Sequence, residues 1–136
     1  MFIEKSDYLL YINTNILDDI TEVNDELVDN ASRTAISLVK GYLNARYDVN
    51  AIFNATGSQR HATILEKCID MALFTLHARI NPRKIPELRR ERNKEAKEWL
   101  IDVSESIINP PDLPVLSNGQ KDYIDFGSNP RRENRI

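Results

Sequence analysis

The sequence has two histidines, His61 and His77, and one cysteine, Cys68, residue types that often bind metals or act as nucleophiles. The two histidines fall in one predicted helix about four and a half turns apart, so they cannot share a metal ion within one chain. Cys68 falls on the apolar face of that helix, where a free cysteine behaves as a small hydrophobic side chain. A reactive thiolate needs exposure and a nearby base. We therefore expect no catalytic residue and no metal site here.

Carboxylates recur along another predicted helix at steps of four, four and three residues: Glu87, Glu91, Glu95 and Glu98. A dinuclear metal site in a helical bundle needs Glu-x-x-His pairs on facing helices, and no such pair occurs in the sequence. Glu87 and Glu91 each have a base three residues later, a spacing that stabilises a helix by roughly 0.2–0.5 kcal/mol. The pattern predicts a solvated helix face, with no metal and no cofactor.

Basic side chains are concentrated in residues 79–97, which hold eight of them against three acids. They are Arg79, Arg83, Lys84, Arg89, Arg90, Arg92, Lys94 and Lys97. The candidate face toward DNA or a partner consists of Arg89, Arg90, Lys94 and Lys97, because a basic stripe can follow phosphates. The segment lacks aromatic side chains for base stacking, and the pI of about 5.4 is low for a dedicated DNA-binding protein. We expect passing contact with DNA. The alternative is a helical nucleic-acid-binding or regulatory protein that uses this segment.

The C-terminal residues place large apolar side chains where no helical period exists. Tyr123, Ile124 and Phe126 are followed by the bases Arg131 and Arg132. A segment that cannot build its own core must dock such side chains on its own chain or on a partner. We expect these residues to form an assembly arm that docks on a neighbouring subunit or another protein, because prolines stiffen its start and hold it away from the helices.

The composition limits the possible classes of protein. The chain has 136 residues, 18 basic and 21 acidic side chains and a net charge of −3, which fits one globular domain with its own core. One cysteine excludes an intrachain disulfide framework, and four glycines form no phosphate-binding loop motif. No apolar run is long enough to span a membrane. The N-terminus lacks the features of a signal peptide, so we expect an intracellular protein.

Charge is unevenly distributed along the chain. Residues 1–30 hold eight acids and one base, whereas residues 79–97 are strongly basic. The acidic start and the basic middle can pair within one chain or between neighbouring copies, and the sequence leaves both arrangements open.

Hydrophobic periodicity predicts one short and three long helices that pack antiparallel. The short helix begins after Ser6 and ends near Ile12. Residues 16–20 form either another helical turn or a packed loop. The first long helix begins after the cap Asn24 and fades near residue 47, and residues 48–57 are a loop. The second follows a cap at Thr56 or Ser58.

Prolines mark the remaining boundaries. Pro82 ends the second long helix, Pro86 fits the first turn of the third, and Pro110 and Pro111 stop it.

Residues 66–76 lie at the centre of the bundle. The predicted core contains Leu38, Tyr42, Leu65, Ile69, Ala72, Leu73, Leu76, Trp99, Leu100 and Val103. Gly41 lies inside the first long helix at a cost of about 1 kcal/mol relative to alanine, which predicts a close helix contact there.

Three phrases follow one another along the chain in a characteristic order. The first, "ELVDNASRTAISLVKGYLNARYDV", contains Gly41-Tyr42-Leu43-x-x-Arg46-Tyr47, and "LEKCIDMALFTLHARI" and "KIPELRRERNKEAKEWL" follow it. Over about residues 3–108 this order resembles the Mu-like prophage head–tail adaptor (connector) proteins. The tail "FGSNPRRENRI" looks like tails of versions from phages of gut bacteria.

The resemblance implies a small helical subunit that assembles in a ring below the portal, around the channel through which DNA passes. Its partners would be further copies of the chain, the portal and tail-completion proteins. It implies no enzymatic activity, cofactor, membrane or small-molecule substrate. The protein would be found in the cytoplasm of the bacterial host during assembly and then at the head–tail junction of the virion. We expect a helical connector-like domain at residues 1–109 and an extended, proline-containing C-terminal arm at residues 110–136.

Overall fold

The computed structural model describes residues 1–116 of the chain. The helices in this range are α1 (Lys5–Tyr8), α2 (Thr14–Thr21), α3 (Asp25–Leu43), α4 (Val49–Asn54), α5 (Ala62–Ile80) and α6 (Glu87–Ser104). A 3-10 turn at Gly57–Gln59 lies between α4 and α5. The prediction of a mainly α fold, a small helical bundle, is confirmed.

The three long helices α3, α5 and α6 pack against one another. α5 and α6 are antiparallel: Asp70 pairs with Arg92, while Lys67, earlier in α5, lies over the ring of Trp99, later in α6. Arg46, just after α3, donates a hydrogen bond of 2.6 Å to a carbonyl in the last turn of α6. α3 therefore runs in the same direction as α6, and α5 is antiparallel to both.

α5 is the central helix of the bundle, as the sequence predicts. Ile69, Ala72, Leu73 and Leu76 are at most 2% exposed. The helix ends at Ile80, two residues before Pro82. Its start differs from the prediction, because residues near the expected caps form the 3-10 turn and α5 begins only after residue 61.

α3 begins at the predicted cap, where the side-chain oxygen of Asn24 accepts a hydrogen bond of 3.0 Å from the amide of Glu26. Its buried stripe, however, is rotated from the predicted one. Leu38 is 47% exposed, so the expectation that it is a core residue is wrong, and Tyr42 is only partly buried. The buried residues of α3 are Val28, Ala31, Ser32, Ala35, Val39 and Leu43.

The N-terminal segment explains this rotation. The hydroxyl groups of Tyr8 and Ser32 share a buried hydrogen bond of 2.6 Å, and both side chains are covered. α1 thus packs on the flank of α3 that carries Ser32, and the flank that carries Leu38 faces solvent. Periodicity alone indicates that α3 has an apolar face but not which of its two flanks another segment covers.

Gly41 in α3 does not make the predicted close helix contact. A Cβ atom built at this position meets no atom within 4 Å, and the residue is exposed. The expected packing reason for the glycine is therefore wrong. Its backbone freedom lowers the intrinsic stability of α3 without a compensating contact there.

α6 is shorter than predicted. Pro86 is its N-cap residue rather than part of its first turn, and the helix ends at Ser104, before the two prolines. Ser106 then takes a positive φ of 67°, a left-handed conformation that breaks the helix. Leu100 and Val103 are fully buried, whereas Trp99 is only partly buried against the core.

The N-terminal helices also differ in detail from the prediction. α1 begins after Glu4 rather than after Ser6, because the carboxylate of Asp7 accepts a hydrogen bond of 2.8 Å from the amide of Glu4. Residues 16–20, predicted to be either a helical turn or a packed loop, are helical and belong to α2. Its cap is Asn13, whose side chain accepts a hydrogen bond from the amide of Asn15.

Residues 48–57 are not simply a loop, since α4 occupies Val49–Asn54. The side chain of Asp48 accepts a hydrogen bond of 3.2 Å from the amide of Ala51 and so caps the helix. Ile52 and Phe53 are buried, and the Phe53 ring packs edge-on against Phe2 with centroids 4.8 Å apart. This long-range contact stabilises a helix that is too short to be stable alone.

The first residues of the predicted arm lie on the helical body, not away from it. Leu113 is 6% exposed, the carbonyl of Pro114 accepts a hydrogen bond of 2.9 Å from the amide of Asp48, and Val115 forms an antiparallel bridge with Tyr47. The expectation that the prolines hold this part away from the helices is therefore wrong for residues 113–116.

Candidate functional site

The outer face of α6 carries seven exposed charged side chains in two stripes. The basic stripe consists of Arg90, Lys94 and Lys97, and the acidic stripe consists of Glu87, Glu91, Glu95 and Glu98. With about 100° of rotation per residue, the centres of the stripes lie about 90° apart, one on each side of the direction that points away from the core. In the described part of the chain, no ion pair joins two of these seven side chains.

Arg89, predicted as part of the basic face, does not belong to the basic stripe. It is partly buried, and its guanidinium donates a hydrogen bond of 2.9 Å to the carbonyl of Tyr11. Burial lowers the pKa of Arg89, against the attraction of Asp70. Neighbouring residues of a helix point about 100° apart, so Arg89 faces the N-terminal segment while Arg90 faces solvent. Arg89 therefore has a structural role.

Two further bases of residues 79–97 are paired within the chain. Arg79 lies 3.4 Å from the carboxylate of Glu22 at the end of α2, and Arg92 lies 3.2 Å from Asp70. The bases of the α5–α6 turn are exposed. The basic segment is thus divided among several surfaces, and part of the acidic N-terminal charge pairs within the same chain.

Asp70 is a buried carboxylate in the middle of α5, only 1% exposed. Both side-chain oxygens lie 3.2 Å from nitrogens of Arg92, which also reaches Glu66 at 3.5 Å. Burial raises the pKa of Asp70 above its ordinary value, although the hydrogen bond and charge of Arg92 oppose the shift. The pair joins α5 to α6 beneath the outer face of α6.

Asp7 and Arg60 form a second ion pair, with both side chains at most 13% exposed. The two guanidinium nitrogens donate hydrogen bonds of 2.6 and 3.1 Å to the two carboxylate oxygens. Arg60 also donates to the carbonyls of Phe2 and Gly57 at 2.9 and 2.8 Å. Burial raises the pKa of Asp7, but the hydrogen bonds from Arg60 and the amide of Glu4, with the charge of Arg60, bring it below its ordinary value.

Neither ion pair was predicted from the sequence. For Asp70 a signal was present, because a lone carboxylate follows Ile69 and precedes Met71 in the apolar part of the central helix, and a buried charge requires a partner. For Asp7 no comparable signal exists. Its partner Arg60 is far away in the sequence, and only the packing of the N-terminal segment brings the two together.

The side chains that could do metal or nucleophile chemistry are separated. Cys68 is buried, and burial raises the pKa of its thiol. His61 caps α5 with its ring nitrogen, and burial lowers its pKa against the opposing effect of Asp112. Burial and, to a smaller extent, Arg89 lower the pKa of His77. Within residues 1–116, no group of three or more potential ligands could hold a metal ion.

A groove of about 630 Å³ lies between α4, the start of α5 and residues 110–114. Ile52, Trp99 and Pro111 contribute apolar walls, and His61 and Asp112 contribute polar groups. Apolar walls with a few polar groups are typical of a binding cleft. The groove and the outer face of α6 are distinct parts of the described surface.

The family model for "Bacteriophage Mu, Gp36" matches residues 5–113. The chain belongs to this phage family. No curated protein and no solved structure matches the chain. The predicted relationship to Mu-like phage proteins is thereby confirmed. The Gp36 match covers all six helices and includes both stripes of α6 and both buried ion pairs.

The residues predicted to dock the assembly arm lie beyond both the Gp36 match and the described residues. These docking residues are Tyr123, Ile124, Phe126, Arg131 and Arg132. Within residues 1–116, none of the helices is both long and apolar enough to cross a bilayer.

Proposed function

We propose that the chain is a structural protein of the phage particle, a head–tail connector subunit that assembles in a ring below the portal around the DNA channel. The observation that carries the proposal is the match to the Mu Gp36 family over all six helices. The order of helical phrases that resembles head–tail adaptor proteins adds the specific role. In this proposal the protein binds other proteins and has no catalytic step.

The partners we propose are further copies of the chain, the portal and the tail-completion proteins. Two surfaces are available for them in the described part: the charged outer face of α6 and the groove beside residues 110–114. The assembly arm, which begins next to Tyr47, supplies a third contact. The protein would act in the host cytoplasm during assembly and then at the head–tail junction.

The first test is to interrupt the gene in a producing phage and to image the particles by electron microscopy. A connector subunit is required to join two finished structures, so the expected result is DNA-filled heads and separate tails. Supplying the intact protein from a plasmid should restore joined particles. Complete, infectious particles without the protein would contradict the proposal.

The second test is a chain truncated after Leu116, which keeps every described residue. We expect it to melt like the full-length protein and to fail in restoring joined particles, because the assembly arm would be missing. Thermal unfolding monitored by circular dichroism provides the folding control. A truncated chain that restores joined particles would remove the arm from the proposal.

A second candidate function is nucleic-acid binding, which the exposure of Arg90, Lys94 and Lys97 on one face favours. Three phosphate contacts give a shallow salt dependence, with a slope of roughly −3 in log affinity against log salt. Tight binding at physiological salt that Arg90→Ala and Lys94→Ala weaken would favour this function. The neighbouring acidic stripe argues against it, because four carboxylates repel the same phosphates.

A further inference from the structure

The charge pattern on the outer face of α6 calls for a physical reason. On a solvated helix, opposite charges three or four residues apart stabilise, and like charges at that spacing destabilise. Among the seven exposed side chains, like charges at these spacings outnumber opposite ones, and the two signs lie in separate stripes. Glu87, Glu91 and Glu95 follow one another at four-residue steps, and so do Arg90 and Lys94.

This sorting brings little benefit to an isolated chain. The pairs with favourable spacing, such as Glu91 with Lys94, form no ion pair in the structure, and the side chains stay exposed. The core does not need them, since the opposite face of α6 supplies Ala96, Leu100 and Val103. Two parallel stripes of opposite sign are useful when a surface with the complementary stripes covers them.

We propose that a second copy of this chain covers the outer face of α6, with the acidic stripe of one copy against the basic stripe of the next. The charge pattern selects this occupant. DNA would be repelled by the acidic stripe, whereas another copy presents both stripes at the same spacing. The inference deepens the proposed function, on which it rests, by assigning a subunit interface of the ring.

The same pattern fixes how the copies are oriented. When neighbours are related by an axis parallel to α6, their helices lie side by side and parallel, and each acidic stripe faces a basic stripe. A two-fold axis perpendicular to α6 makes the helices antiparallel and sets each stripe against itself. The first arrangement is the one found in a closed ring, in which every contact joins two different patches.

Exposed charge pairs orient partners more than they hold them together. Apolar area at the interface comes from Leu88 and Ile101, which are 57% and 40% exposed. Leu88 lies beside the acidic stripe, and Ile101 continues the basic stripe at the other end of α6. Association should therefore be weak in free solution and strengthen when several contacts form at once in a ring.

The test uses full-length chains in which one stripe is reversed. The all-acidic variant carries Arg90→Glu, Lys94→Glu and Lys97→Glu. The all-basic variant carries Glu87→Lys, Glu91→Lys, Glu95→Lys and Glu98→Lys. By sedimentation equilibrium at low salt, wild-type protein should self-associate and each variant alone should do so at least tenfold more weakly. An equimolar mixture of the two should associate again, because each supplies the stripe that the other needs.

A matched control makes the same change of charge as the all-acidic variant but outside the two stripes, with Arg33→Glu, Arg83→Glu and Lys84→Glu, all at exposed positions. It should associate like the wild type. Circular dichroism checks that every variant folds, and nuclease treatment excludes association through DNA. Wild-type protein that stays monomeric at millimolar concentration, or a mixture that fails to associate, would overturn the interface.

Orientation is tested by disulfide cross-linking, since the native Cys68 is buried. A mixture of Glu91→Cys and Lys94→Cys chains should cross-link through the parallel arrangement. Glu91→Cys alone should not, because its stripe faces a basic one. Efficient cross-linking between Glu91→Cys and Glu95→Cys chains would instead show the antiparallel pairing and contradict the proposed geometry.

Failure of this inference and failure of the proposed function give different results. If gene interruption separates heads from tails but the all-acidic variant restores joined particles, the function stands and the α6 interface is wrong. If interruption leaves complete particles while the reversed stripes still complement each other in solution, the interface stands and the connector role is wrong.

Discussion

Two buried aspartates of this bundle are each held by one arginine, and their carboxyl groups behave differently. Asp7 joins the N-terminal segment to the residues just before α5, and its pKa lies below the ordinary value. Asp70 joins α5 to α6, and its pKa lies above the ordinary value. Both carry the same kind of partner, so the partner alone does not explain the difference.

The number of hydrogen-bond donors around each carboxylate, and their distances, explain the difference in pKa. The Asp7 carboxylate accepts two hydrogen bonds from Arg60, of 2.6 and 3.1 Å, and one of 2.8 Å from a backbone amide. Asp70 is more deeply buried, its contacts with Arg92 are longer, and Arg92 is shared with Glu66. A buried carboxylate keeps its charge where donors replace the lost water, and takes up a proton more readily where they do not.

The largest expected effect is that of Arg60→Ala. This change leaves the Asp7 carboxylate buried without its guanidinium and removes the side-chain donor to the carbonyls of Phe2 and Gly57. Removing one partner of a buried ion pair costs about 3–5 kcal/mol. We expect the free energy of unfolding, measured with urea at pH 7, to decrease by that amount.

The control is Arg60→Lys, which keeps the charge but cannot form the two-pronged contact with the carboxylate. We expect the free energy of unfolding of Arg60→Lys to lie between those of the wild type and Arg60→Ala. A loss below 1 kcal/mol for Arg60→Ala would show that the N-terminal segment does not depend on this pair.

The second effect should be smaller. Arg92→Ala also removes the partner of a buried aspartate, but the pKa of Asp70 is already raised, so the carboxyl group can be neutralised by taking up a proton. We expect a loss of about 1–3 kcal/mol at pH 7, within the range for an unsatisfied buried group. The loss should decrease at pH 5. A loss as large as that of Arg60→Ala at both pH values would contradict the difference between the two pairs.

The third prediction uses the opposite signs of the two pKa shifts. The lowered pKa of Asp7 contributes stability above its ordinary value of 3.8, and this contribution is lost as the pH falls through the folded-state pKa. The raised pKa of Asp70 means that the folded chain binds this proton first, so the penalty for the buried charge disappears as the pH falls.

The measurement compares wild type with Asp7→Asn and Asp70→Asn in urea unfolding between pH 3 and pH 7. The deficit of Asp7→Asn should shrink on acidification, whereas wild type should gain relative to Asp70→Asn. The two changes should have opposite signs, because the pKa of Asp7 is lowered and that of Asp70 is raised by folding. If the free energies of unfolding of the two variants change with pH in the same way relative to wild type, the pKa values of Asp7 and Asp70 do not shift in opposite directions.

The sequence predicted the parts of the fold that depend on neighbouring residues. Asn24 caps α3, a proline follows the end of α5, and the apolar residues around Leu73 form the centre of the core. These features follow from local hydrogen bonding and helical periodicity. The membership in the Mu family was likewise recognisable from the order of three helical phrases.

The parts that the sequence did not predict depend on contacts between distant segments. α4 exists because Phe53 packs on Phe2, Leu38 is exposed because α1 covers the other flank of α3, and Arg89 turns inward to the carbonyl of Tyr11. In the candidate site, Arg90, Lys94 and Lys97 are exposed on one face of α6 and Arg89 is not. The sequence pattern predicted only a solvated face for the stripe of opposite charge beside them. The acidic stripe can be recognised as a surface feature only when it is known which α6 side chains are exposed side by side.

The smallest expected effect is a stabilisation that makes the comparison of the two ion pairs easier to measure. Gly41 lies in α3, with a helical φ and nothing within 4 Å of a Cβ atom placed there, and α3 holds neither ion pair. Gly41→Ala should raise the free energy of unfolding by about 0.5–1 kcal/mol, because alanine loses less backbone entropy in a helix. The matched control is Gly57→Ala. That position is equally open but has a φ of +58°, so alanine should destabilise there.

If Gly41→Ala is stabilising, the losses caused by Arg60→Ala and Arg92→Ala should be unchanged in its background, since distant sites add independently. A different ratio of the two losses would show that α3 couples to one of the pairs.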